Sequence, residues 1–309
     1  MTKKRFLMIL LSTVVLLVMI DLVVGQVMHW YVLHKNIPGD YGKIEYMLKR
    51  ADAQILLLGA STCMNSIDPE LLEGALKKSV FNGGLNDQRL EFFDVISEAI
   101  FKRSPPKMLI LVLRRNDLVV SDRGRLDMMS IYYHIGDPKL DWYLNEGKLE
   151  KRILLCSSLY RFNTYSWRIL LYHFKSFNEL AHGGFVGKPV PKFFPRRWKR
   201  GNDKNATVSI NRRKLQCLEN ILKNCRLNGT RMWIVIAPEY YDYGSDENIG
   251  GTAYIRDFCR RNNIRFINDS QHPDFVDHPE YFFDNNHLNV NGAKIYTKHI
   301  LRMLREEGV

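Results

Sequence analysis

Short apolar runs alternate with amphipathic stretches along most of this chain. The runs are Gln54–Leu58, Ser79–Gly84, Met108–Leu113, Arg231–Pro238 and Ile264–Asn268. Met108–Leu113 is continuously apolar, which is typical of a parallel strand that is buried on both faces. Helical periodicity lies between the runs, as in Asp87–Arg103, which is followed by the Pro105-Pro106 pair. The alternation predicts an α/β protein with a three-layer, flavodoxin-like arrangement and about five parallel strands.

The alternation stops at about residue 121 and resumes at about residue 210, which indicates an insertion. It is rich in aromatic residues, and helices are predicted near Asp137–Leu144 and Ser157–Phe177. It ends in a basic, proline-broken stretch whose candidate substrate-binding residues are Lys192, Arg196, Arg197 and Trp198. Basic and aromatic residues together suit an anionic glycan or a headgroup surface, and a solvated loop without a specific role is the alternative. The N-terminal segment predicts export of the domain, which disfavours a nucleic acid partner.

The N-terminal segment is basic and then apolar. Lys3, Lys4 and Arg5 precede the run Phe6–Val24, whose length is close to the ~20 residues that span a bilayer. A cleaved signal peptide is the alternative, but the run is long for one and no small-x-small site follows. We expect an uncleaved anchor with a cytoplasmic N-terminus, because the positive charges precede it. Asp21 is either a tolerated polar residue or a contact to a membrane partner.

These boundaries predict three regions. Residues 1–28 form a cytoplasmic stub and transmembrane anchor, residues 29–51 a stalk, and residues 52–309 an extracytoplasmic domain that carries the insertion at about 121–210. The chain has 46% hydrophobic residues, 25% charged residues and a net charge of +12, values of a folded globular protein. Its five cysteines are an odd number without a C-x-x-C pair, which argues against a disulfide framework and a zinc site. We therefore predict no metal and no cofactor.

Ser61 follows the first predicted strand, directly after Gly59 and Ala60. Ligands bind at the carboxyl ends of strands in open α/β sheets, so a serine there can act as a nucleophile once a base lies beside it. An isolated serine at such a place is also a common helix cap, and that alternative stays open.

Asp284 and His287 form a D-x-x-H pattern in an asparagine-rich turn after the fifth predicted strand. An aspartate at this spacing can turn its carboxylate onto the imidazole Nδ1, which fixes the tautomer and leaves Nε2 free to accept a proton. The alternative is an ordinary helix start with Asn289 or Asn291 as the N-cap. Because this turn and Ser61 both follow strands, we expect them at one edge of the sheet.

The same edge offers hydrogen-bond donors for a negatively charged oxygen. Backbone N–H groups follow the second strand, and the turn Arg114–Asp117 follows the third. The side-chain amide of Asn116 and backbone N–H groups, aimed at one point, are what a tetrahedral acyl intermediate needs.

Together these segments resemble the SGNH/GDSL hydrolase superfamily. The stretch Gly59–Ser61 is similar to its first block with alanine in place of aspartate, and residues 81–88, 114–117 and 284–287 are similar to the other three. The resemblance covers about residues 52–305 without the insertion. It implies a catalytic triad and an oxyanion hole, in which Ser61 is the nucleophile, His287 the base, Asp284 its orienting residue, and Asn116 with the Ser61 N–H the donors.

Two positions depart from the family pattern. Asp87 takes the place of the second glycine in the Asn-x-Gly-x-x-Gly pattern of the second block, and Arg114 replaces the usual glycine of the third. We expect Gly84 and Asp87 to contribute backbone N–H groups to the oxyanion hole, provided that the Asp87 carboxylate points away.

The last block, with its continuation to Ala293, is similar to membrane-anchored members that accompany polysaccharide O-acetylation and teichoic-acid D-alanylation. The resemblance implies a serine O-acyltransferase or esterase that acts on a surface glycan through an acyl-serine, with a multi-pass membrane acyltransferase as a candidate partner. A catalytically silent accessory protein that binds a glycan or a membrane acyltransferase is the alternative, favoured by the altered second and third blocks. A soluble secreted lipase would require a cleaved signal.

Overall fold

The computed structural model describes residues 2–34, 39–132, 138–162, 181–199, 209–242 and 250–309. The chain divides into two compact units. The smaller unit comprises Met1–Gly42 and Leu126–Phe177, and the larger comprises Lys43–Arg125 and Asn178–Val309. Each is described by itself.

The helices and strands follow the predicted alternation. The helices are α1 (Lys3–His34), α2 (Asp40–Lys49), α3 (Ser61–Ser66), α4 (Pro69–Leu76), α5 (Leu90–Arg103), α6 (Pro138–Asn145), α7 (Leu149–Cys156), α8 (Arg212–Leu227), α9 (Thr252–Asn262), α10 (Pro273–Val276) and α11 (Val290–Glu306). The strands of the main sheet are β1 (Ile55–Gly59), β2 (Val80–Asn82), β3 (Met108–Leu113), β4 (Arg231–Ile236) and β5 (Arg265–Asn268).

A five-stranded parallel sheet forms the centre of the larger unit. Its order is β2-β1-β3-β4-β5, and each neighbouring pair is parallel. All residues of β1, β2 and β3 are buried, which explains why these strands are apolar apart from Asn82 at the end of β2. Helices cover both sides, with α5 packed on α8 and α11 packed on α3 and α4. The predicted α/β fold is confirmed.

Alternate residues of the strands form the core beneath α11. Side chains one residue apart in a strand point to opposite faces, so the core takes every second residue, as in Ile110 and Val112 of β3. From α11 it takes Tyr296, Ile300 and Leu304, which are fully buried at helical spacing. Burying one such aliphatic side chain contributes about 1.5–3 kcal/mol, so this layer holds α11 and the turn before it against the sheet.

Helix α1 belongs to the smaller unit and is longer than predicted. Its segment Lys3–Met28 is long and apolar enough to cross a membrane, and its apolar side chains up to Val23 are exposed. The helix runs on to His34 because the turn residues Pro38 and Gly39 come only later.

Two predicted boundaries differ from the structure. The second half of the predicted stalk, from Lys43 onward, lies in the larger unit, where α2 buries Ile44 and Met47 completely. Two apolar residues at i and i+3 in a ten-residue helix are too weak a signal to predict burial. The predicted insertion is divided, since residues 178–210 belong to the larger unit. The helix predicted for Ser157–Phe177 extends beyond the described residues.

Candidate active site

Ser61 lies at the carboxyl end of β1, as the first residue of α3. Gly59 permits this placement, because a Cβ there would lie 2.5 Å from the carbonyl oxygen of Val112 and 2.6 Å from Cβ of Cys63. Ala60 follows with an extended backbone, and its carbonyl accepts a hydrogen bond from Met64 N–H (3.1 Å). The strand can therefore pass directly into a helix and present Ser61 near the middle of the sheet edge.

The turn that carries Asp284 and His287 is a short antiparallel pair, Phe282–Asp284 with His287–Leu288. Phe282 and Leu288 are fully buried and anchor its two arms. Asp284 Oδ1 accepts hydrogen bonds from the N–H groups of Asn286 (2.8 Å) and His287 (3.0 Å). The carboxylate thus fixes the backbone of the turn that holds it.

Asn289 joins this turn to α11 as the helix N-cap. Its Oδ1 accepts hydrogen bonds from the N–H groups of Asn291 (3.0 Å) and Gly292 (3.1 Å). Its Nδ2 donates to the carbonyl oxygen of Glu280 (2.7 Å), so that the cap also ties the helix to the preceding segment. The asparagine cap of the alternative interpretation is present, but it coexists with a specific contact between Asp284 and His287.

Ser61, His287 and Asp284 form a continuous hydrogen-bonded chain. Ser61 Oγ lies 2.8 Å from His287 Nε2, and His287 Nδ1 lies 2.8 Å and 2.9 Å from the two carboxylate oxygens of Asp284. Because an ionised carboxylate only accepts hydrogen bonds, Nδ1 carries the proton and the Nε2 lone pair faces the serine hydroxyl. This is the arrangement in which a histidine can remove a serine proton. The structure brings the three predicted residues together, and their catalytic role stays a prediction.

The environment of Asp284 favours its ionised form. Burial acts to raise the pKa of this carboxyl, but the hydrogen bond and charge of His287, with the N–H groups of Asn286 and His287, outweigh it and hold the pKa below its usual value. The carboxylate is therefore charged at neutral pH. It can stabilise the positive charge that His287 gains when Nε2 takes a proton.

Asn116 lies in a rigid turn after β3. The buried Asp117 accepts hydrogen bonds from the Arg114 N–H (2.9 Å) and guanidinium (3.0 and 3.2 Å). The N–H groups of Val119 and Val120 donate to the Asn116 carbonyl (2.9 and 3.0 Å). None of these bonds uses the side-chain amide of Asn116, which is half-buried. Arg114 thus helps to hold the turn.

Gly84 and Asp87 differ in what they can offer. The Gly84 N–H donates to Asn82 Oδ1 (2.9 Å), so its predicted role as an oxyanion donor does not fit the geometry. Asp87 has a φ of +53°, a conformation that favours glycine and explains the glycine of the family pattern. Its carboxylate is 58% exposed and pairs with Arg89 (3.3 Å). Arg89 also pairs with Asp122 (2.8 Å), so the two carboxylates share one cation.

The end of the predicted insertion borders the triad. We call residues 185–198 the flanking segment. Near Ser61, the Val186 N–H donates to the Met64 carbonyl (3.1 Å), and Asn65 Nδ2 donates to the Val186 carbonyl (2.6 Å). Near His287, the Val290 N–H donates to the Lys188 carbonyl (2.8 Å), and the Lys188 ammonium lies 5.4 Å from the centre of the Phe283 ring. The segment therefore contacts both elements that carry the triad.

The four predicted substrate-binding residues lie farther along this segment. Lys192, Arg196 and Trp198 are exposed, and 67% of Trp198 is accessible. The Arg197 guanidinium donates to Gln271 Oε1 (3.2 Å) and forms a long ion pair with Asp277 (3.8 Å), although the residue is largely exposed. These residues line the surface beside the turn of His287 and present both positive charge and an aromatic face.

Asn285 connects the flanking segment to the turn that carries Asp284 and His287, and it was not among the predicted site residues. Its Nδ2 donates to the carbonyl oxygens of Arg196 (2.8 Å) and Tyr240 (2.6 Å), and its own carbonyl accepts from the Tyr240 N–H (2.9 Å). The asparagine-rich composition of the turn was the available signal. It did not show which asparagine faces inward.

Lys43 is a second residue that the sequence did not reveal. Its side chain is fully buried, and the ammonium donates to the carbonyl oxygens of Gly84 (2.5 Å) and Gly184 (2.6 Å). It thereby fixes the glycine turn after β2 beside the segment that precedes residue 185. A lysine in a predicted stalk carries no signal of such a contact.

One cluster of the described residues has the composition of a metal site, namely Asp269, His272 and His299. Its hydrogen bonds favour a polar network instead. His272 Nδ1 accepts from the Asp274 N–H (3.2 Å), and His299 Nδ1 faces an NH2 group of Arg302 (3.2 Å). Both Nδ1 atoms are thus acceptors, so each neutral ring carries its proton on Nε2 and offers no lone pair there to a metal.

Comparison with protein-family models and with curated protein sequences finds no match to this chain. Among solved structures, a gut microbial diltiazem-metabolizing enzyme is similar to this chain, with a TM-score of 0.39 and 12% sequence identity. The match covers 80% of this chain and 46% of the chain of that enzyme. A GDSL-like lipase from Bacteroides thetaiotaomicron is similar with a TM-score of 0.37 and 10% identity, over 82% of this chain and 88% of its own. The chain thus spans less than half the length of the first of these proteins. Likenesses at this level carry no functional argument.

Proposed function

We propose that this protein is a membrane-anchored serine acyl-transfer enzyme, an esterase or O-acyltransferase, that acts outside the cytoplasm on an acylated cell-surface polysaccharide. One observation carries the proposal. The Ser61 hydroxyl, the His287 imidazole and the Asp284 carboxylate are joined by hydrogen bonds of 2.8–2.9 Å in the order that activates a serine. The location is supported by α1, which is long and apolar enough to span a membrane.

The reaction proceeds in two acyl transfers. His287 Nε2 takes the proton of Ser61 as Oγ attacks the carbonyl carbon of an ester, and the carbonyl oxygen becomes an oxyanion. His287 then returns the proton to the alkoxide that leaves, and an acyl-Ser61 ester remains. Water or a glycan hydroxyl then gives its proton to His287 and attacks the carbonyl carbon of this ester. The bond from that carbon to Ser61 Oγ breaks, and His287 returns the proton to Oγ, which regenerates the serine hydroxyl. Water as the acceptor makes the protein an esterase, and a glycan hydroxyl makes it an O-acyltransferase.

The oxyanion hole is assigned to the Ser61 N–H, the Asn116 amide and the Asp87 N–H. The first N–H groups of a helix have no acceptor within the helix, and Ser61 is the first residue of α3. The Asn116 amide is not needed to hold its own turn, as described above. Gly84 is left out because its N–H is already bonded to Asn82.

A polysaccharide is proposed as the substrate because of the flanking segment. Trp198 offers a flat apolar face, and the positive charges of Lys192, Arg196 and Arg197 suit carboxylate or phosphate groups on a glycan. The segment contacts the turn of His287, so a chain bound along it has its ester groups beside the triad. Trp198→Ala should therefore raise KM for an acylated anionic glycan and leave the turnover of a small p-nitrophenyl ester unchanged.

A fluorophosphonate probe tests the chemistry directly, since it labels only an activated serine. The wild-type chain should be labelled, and Ser61→Ala should abolish labelling. His287→Ala should reduce labelling nearly as much, because nucleophile and base act as a unit. Ser66→Ala is the matched control, since Ser66 is a buried serine of the same helix that does not belong to the triad, and it should leave labelling intact.

A catalytically silent accessory protein is the second candidate, and the engaged Gly84 N–H favours it. Such a protein would keep the fold to bind a glycan or a multi-pass membrane acyltransferase. A folded wild-type chain that shows no more labelling than Ser61→Ala, with its glycan present, would favour this candidate over the enzyme.

A further inference from the structure

Asp21 of α1 contacts a second part of the smaller unit. Its carboxylate accepts hydrogen bonds from the Ser157 hydroxyl (2.6 Å) and from the N–H groups of Ser158 (2.9 Å) and Leu159 (2.8 Å). One turn farther along α1, a Cβ on Gly25 would lie 2.2 Å from Ser158 Oγ. The glycine thus allows the two backbones to approach, and the carboxylate caps the helix that begins at residue 158.

The position of Asp21 along α1 sets the depth of this contact in a bilayer. An α-helix rises ~1.5 Å per residue, so Asp21 lies about 22 Å beyond Phe6, where the apolar run begins. The hydrocarbon core of a bilayer is ~30 Å thick. With Lys3, Lys4 and Arg5 at the inner headgroups, Asp21 lies about 8 Å inside the outer edge of the hydrocarbon. The segment Ser157–Leu159 that touches it must then reach the same depth.

The side chains around that contact are apolar and exposed. One face of α7 carries Leu149, Ile153 and Cys156, at positions i, i+4 and i+7. The Leu149 side chain is 69% exposed and that of Ile153 is 62% exposed. Leu159 and Tyr160 continue the exposed surface in the next helix. We call these five residues the α7 face. Water is a poor environment for it, whereas the acyl chains of lipids are a favourable one.

We propose that the α7 face lies in the outer leaflet of the membrane beside α1. The inference rests on the proposed membrane crossing by α1 and adds a second, shallow point of insertion. Two independent features support it: the hydrogen bonds that fix Ser157–Leu159 at the depth of Asp21, and an exposed apolar stripe that continues from that point. Amphipathic helices of this kind lie in the plane of the interface.

The polar residues beside the α7 face suit lipid headgroups better than a protein partner. Lys148, Lys151, Arg152 and Arg161 lie next to it along the chain. Two of these, Lys151 and Arg152, pair with Glu146 (2.9 Å) and Asp141 (3.6 Å). Long basic side chains extend from apolar surroundings toward phosphate groups, so these residues fit an anionic lipid surface.

Cys156 allows the test without a substitution in the face. It is exposed, whereas Cys63, Cys217, Cys225 and Cys259 are buried, and burial raises the pKa of the Cys63, Cys225 and Cys259 thiols to about 12. The thiolate is the reactive form, so an NBD iodoacetamide should label Cys156 selectively. The full chain is labelled and reconstituted into phosphatidylcholine–phosphatidylglycerol liposomes with a large excess of lipid.

We expect the NBD emission to be blue-shifted, quenched by doxyl-labelled lipids, and protected from iodide present on both sides of the membrane. The control is Cys156→Ser combined with Lys223→Cys on the exposed polar face of α8, which should show the opposite pattern. Carbonate washing of the same liposomes tests α1 separately. Iodide quenching without doxyl quenching, in protein that resists carbonate, overturns the proposal and leaves the anchor intact. Protection from both quenchers indicates that protein covers the α7 face, and this result also overturns the proposal. Release of the protein by carbonate overturns the membrane crossing by α1 as well.

Discussion

Replacing Asp284 with asparagine separates two tasks of this side chain. Its Oδ1 accepts two backbone hydrogen bonds within the turn, and both oxygens face His287 Nδ1. Asparagine keeps one carbonyl oxygen, which is sufficient for the two backbone N–H groups, so the turn should still form. Its NH2 group then faces Nδ1 and can only donate. Nδ1 must become the acceptor, the ring proton moves to Nε2, and Nε2 can no longer take the proton of Ser61.

The expected loss is therefore in rate and not in folding. A triad whose histidine is held in the wrong tautomer loses up to about 10⁴-fold in kcat. At ~1.36 kcal/mol for each factor of ten, this is about 5 kcal/mol of barrier. The free energy of unfolding at neutral pH should fall by much less, because the backbone hydrogen bonds of the turn remain and the Asp284 side chain is 44% exposed.

The assay is the second-order rate constant of fluorophosphonate labelling, together with the hydrolysis of a p-nitrophenyl ester. Glu280→Gln is the matched control, because Glu280 also pairs with a histidine, His278 (2.8 Å), but not as part of the triad. It should leave both rates unchanged. Wild-type rates in a folded Asp284→Asn variant would refute the tautomer argument. Loss of the circular dichroism of the folded protein in that variant would show that the carboxylate is needed for the fold instead.

Three further changes test the surrounding structure. Folding lowers the pKa of Asp284, so the contribution of its carboxylate to stability is complete above the unfolded pKa of ~3.9 and is lost as pH falls through the lower folded value. The difference in unfolding free energy between wild type and Asp284→Asn should therefore shrink below about pH 4. A difference that grows in acid would contradict this prediction. Gly59→Ala should lower the free energy of unfolding in urea by about 1–3 kcal/mol, because the new Cβ meets the Val112 carbonyl. Gly74 of α4 has open space around it, so the control Gly74→Ala should raise the free energy of unfolding by about 0.5–1 kcal/mol. Lys43→Met leaves two buried carbonyls without their lysine donor and should lower the unfolding free energy by about 1–3 kcal/mol for each, so an unchanged urea midpoint would show that the buried ammonium is not needed.

The parts of the fold that follow from local sequence were predictable. Strand β3 has the predicted bounds, Met108–Leu113, because it is wholly apolar and the Pro105-Pro106 pair ends the helix before it. The convergence of Ser61 with the turn of Asp284 and His287 follows from topology, since the carboxyl ends of parallel strands share one edge. A contact across 226 residues was thus accessible from strand order alone.

Other features depend on contacts that no local pattern encodes. Whether the Gly84 N–H is free depends on the rotamer of Asn82, whose Oδ1 occupies it. The role of Asn285 depends on carbonyl groups 89 and 45 residues away in the chain. The division of the predicted insertion between two units, and the burial of Ile44 and Met47 in a region predicted as a stalk, likewise depend on tertiary packing.

The buried ammonium of Lys43 also constrains how the chain can fold while it is being synthesised. One of its acceptors, the carbonyl of Gly184, lies 141 residues later. At ~5–20 residues per second, a ribosome adds that carbonyl about 7 to 28 s after the lysine. The first three strands are synthesised within this interval, and of the two carbonyl acceptors only that of Gly84 is present before residue 184 is added. The contact that joins α2 to the segment at residue 184 can therefore form only late in synthesis, after the strands that surround it have been made.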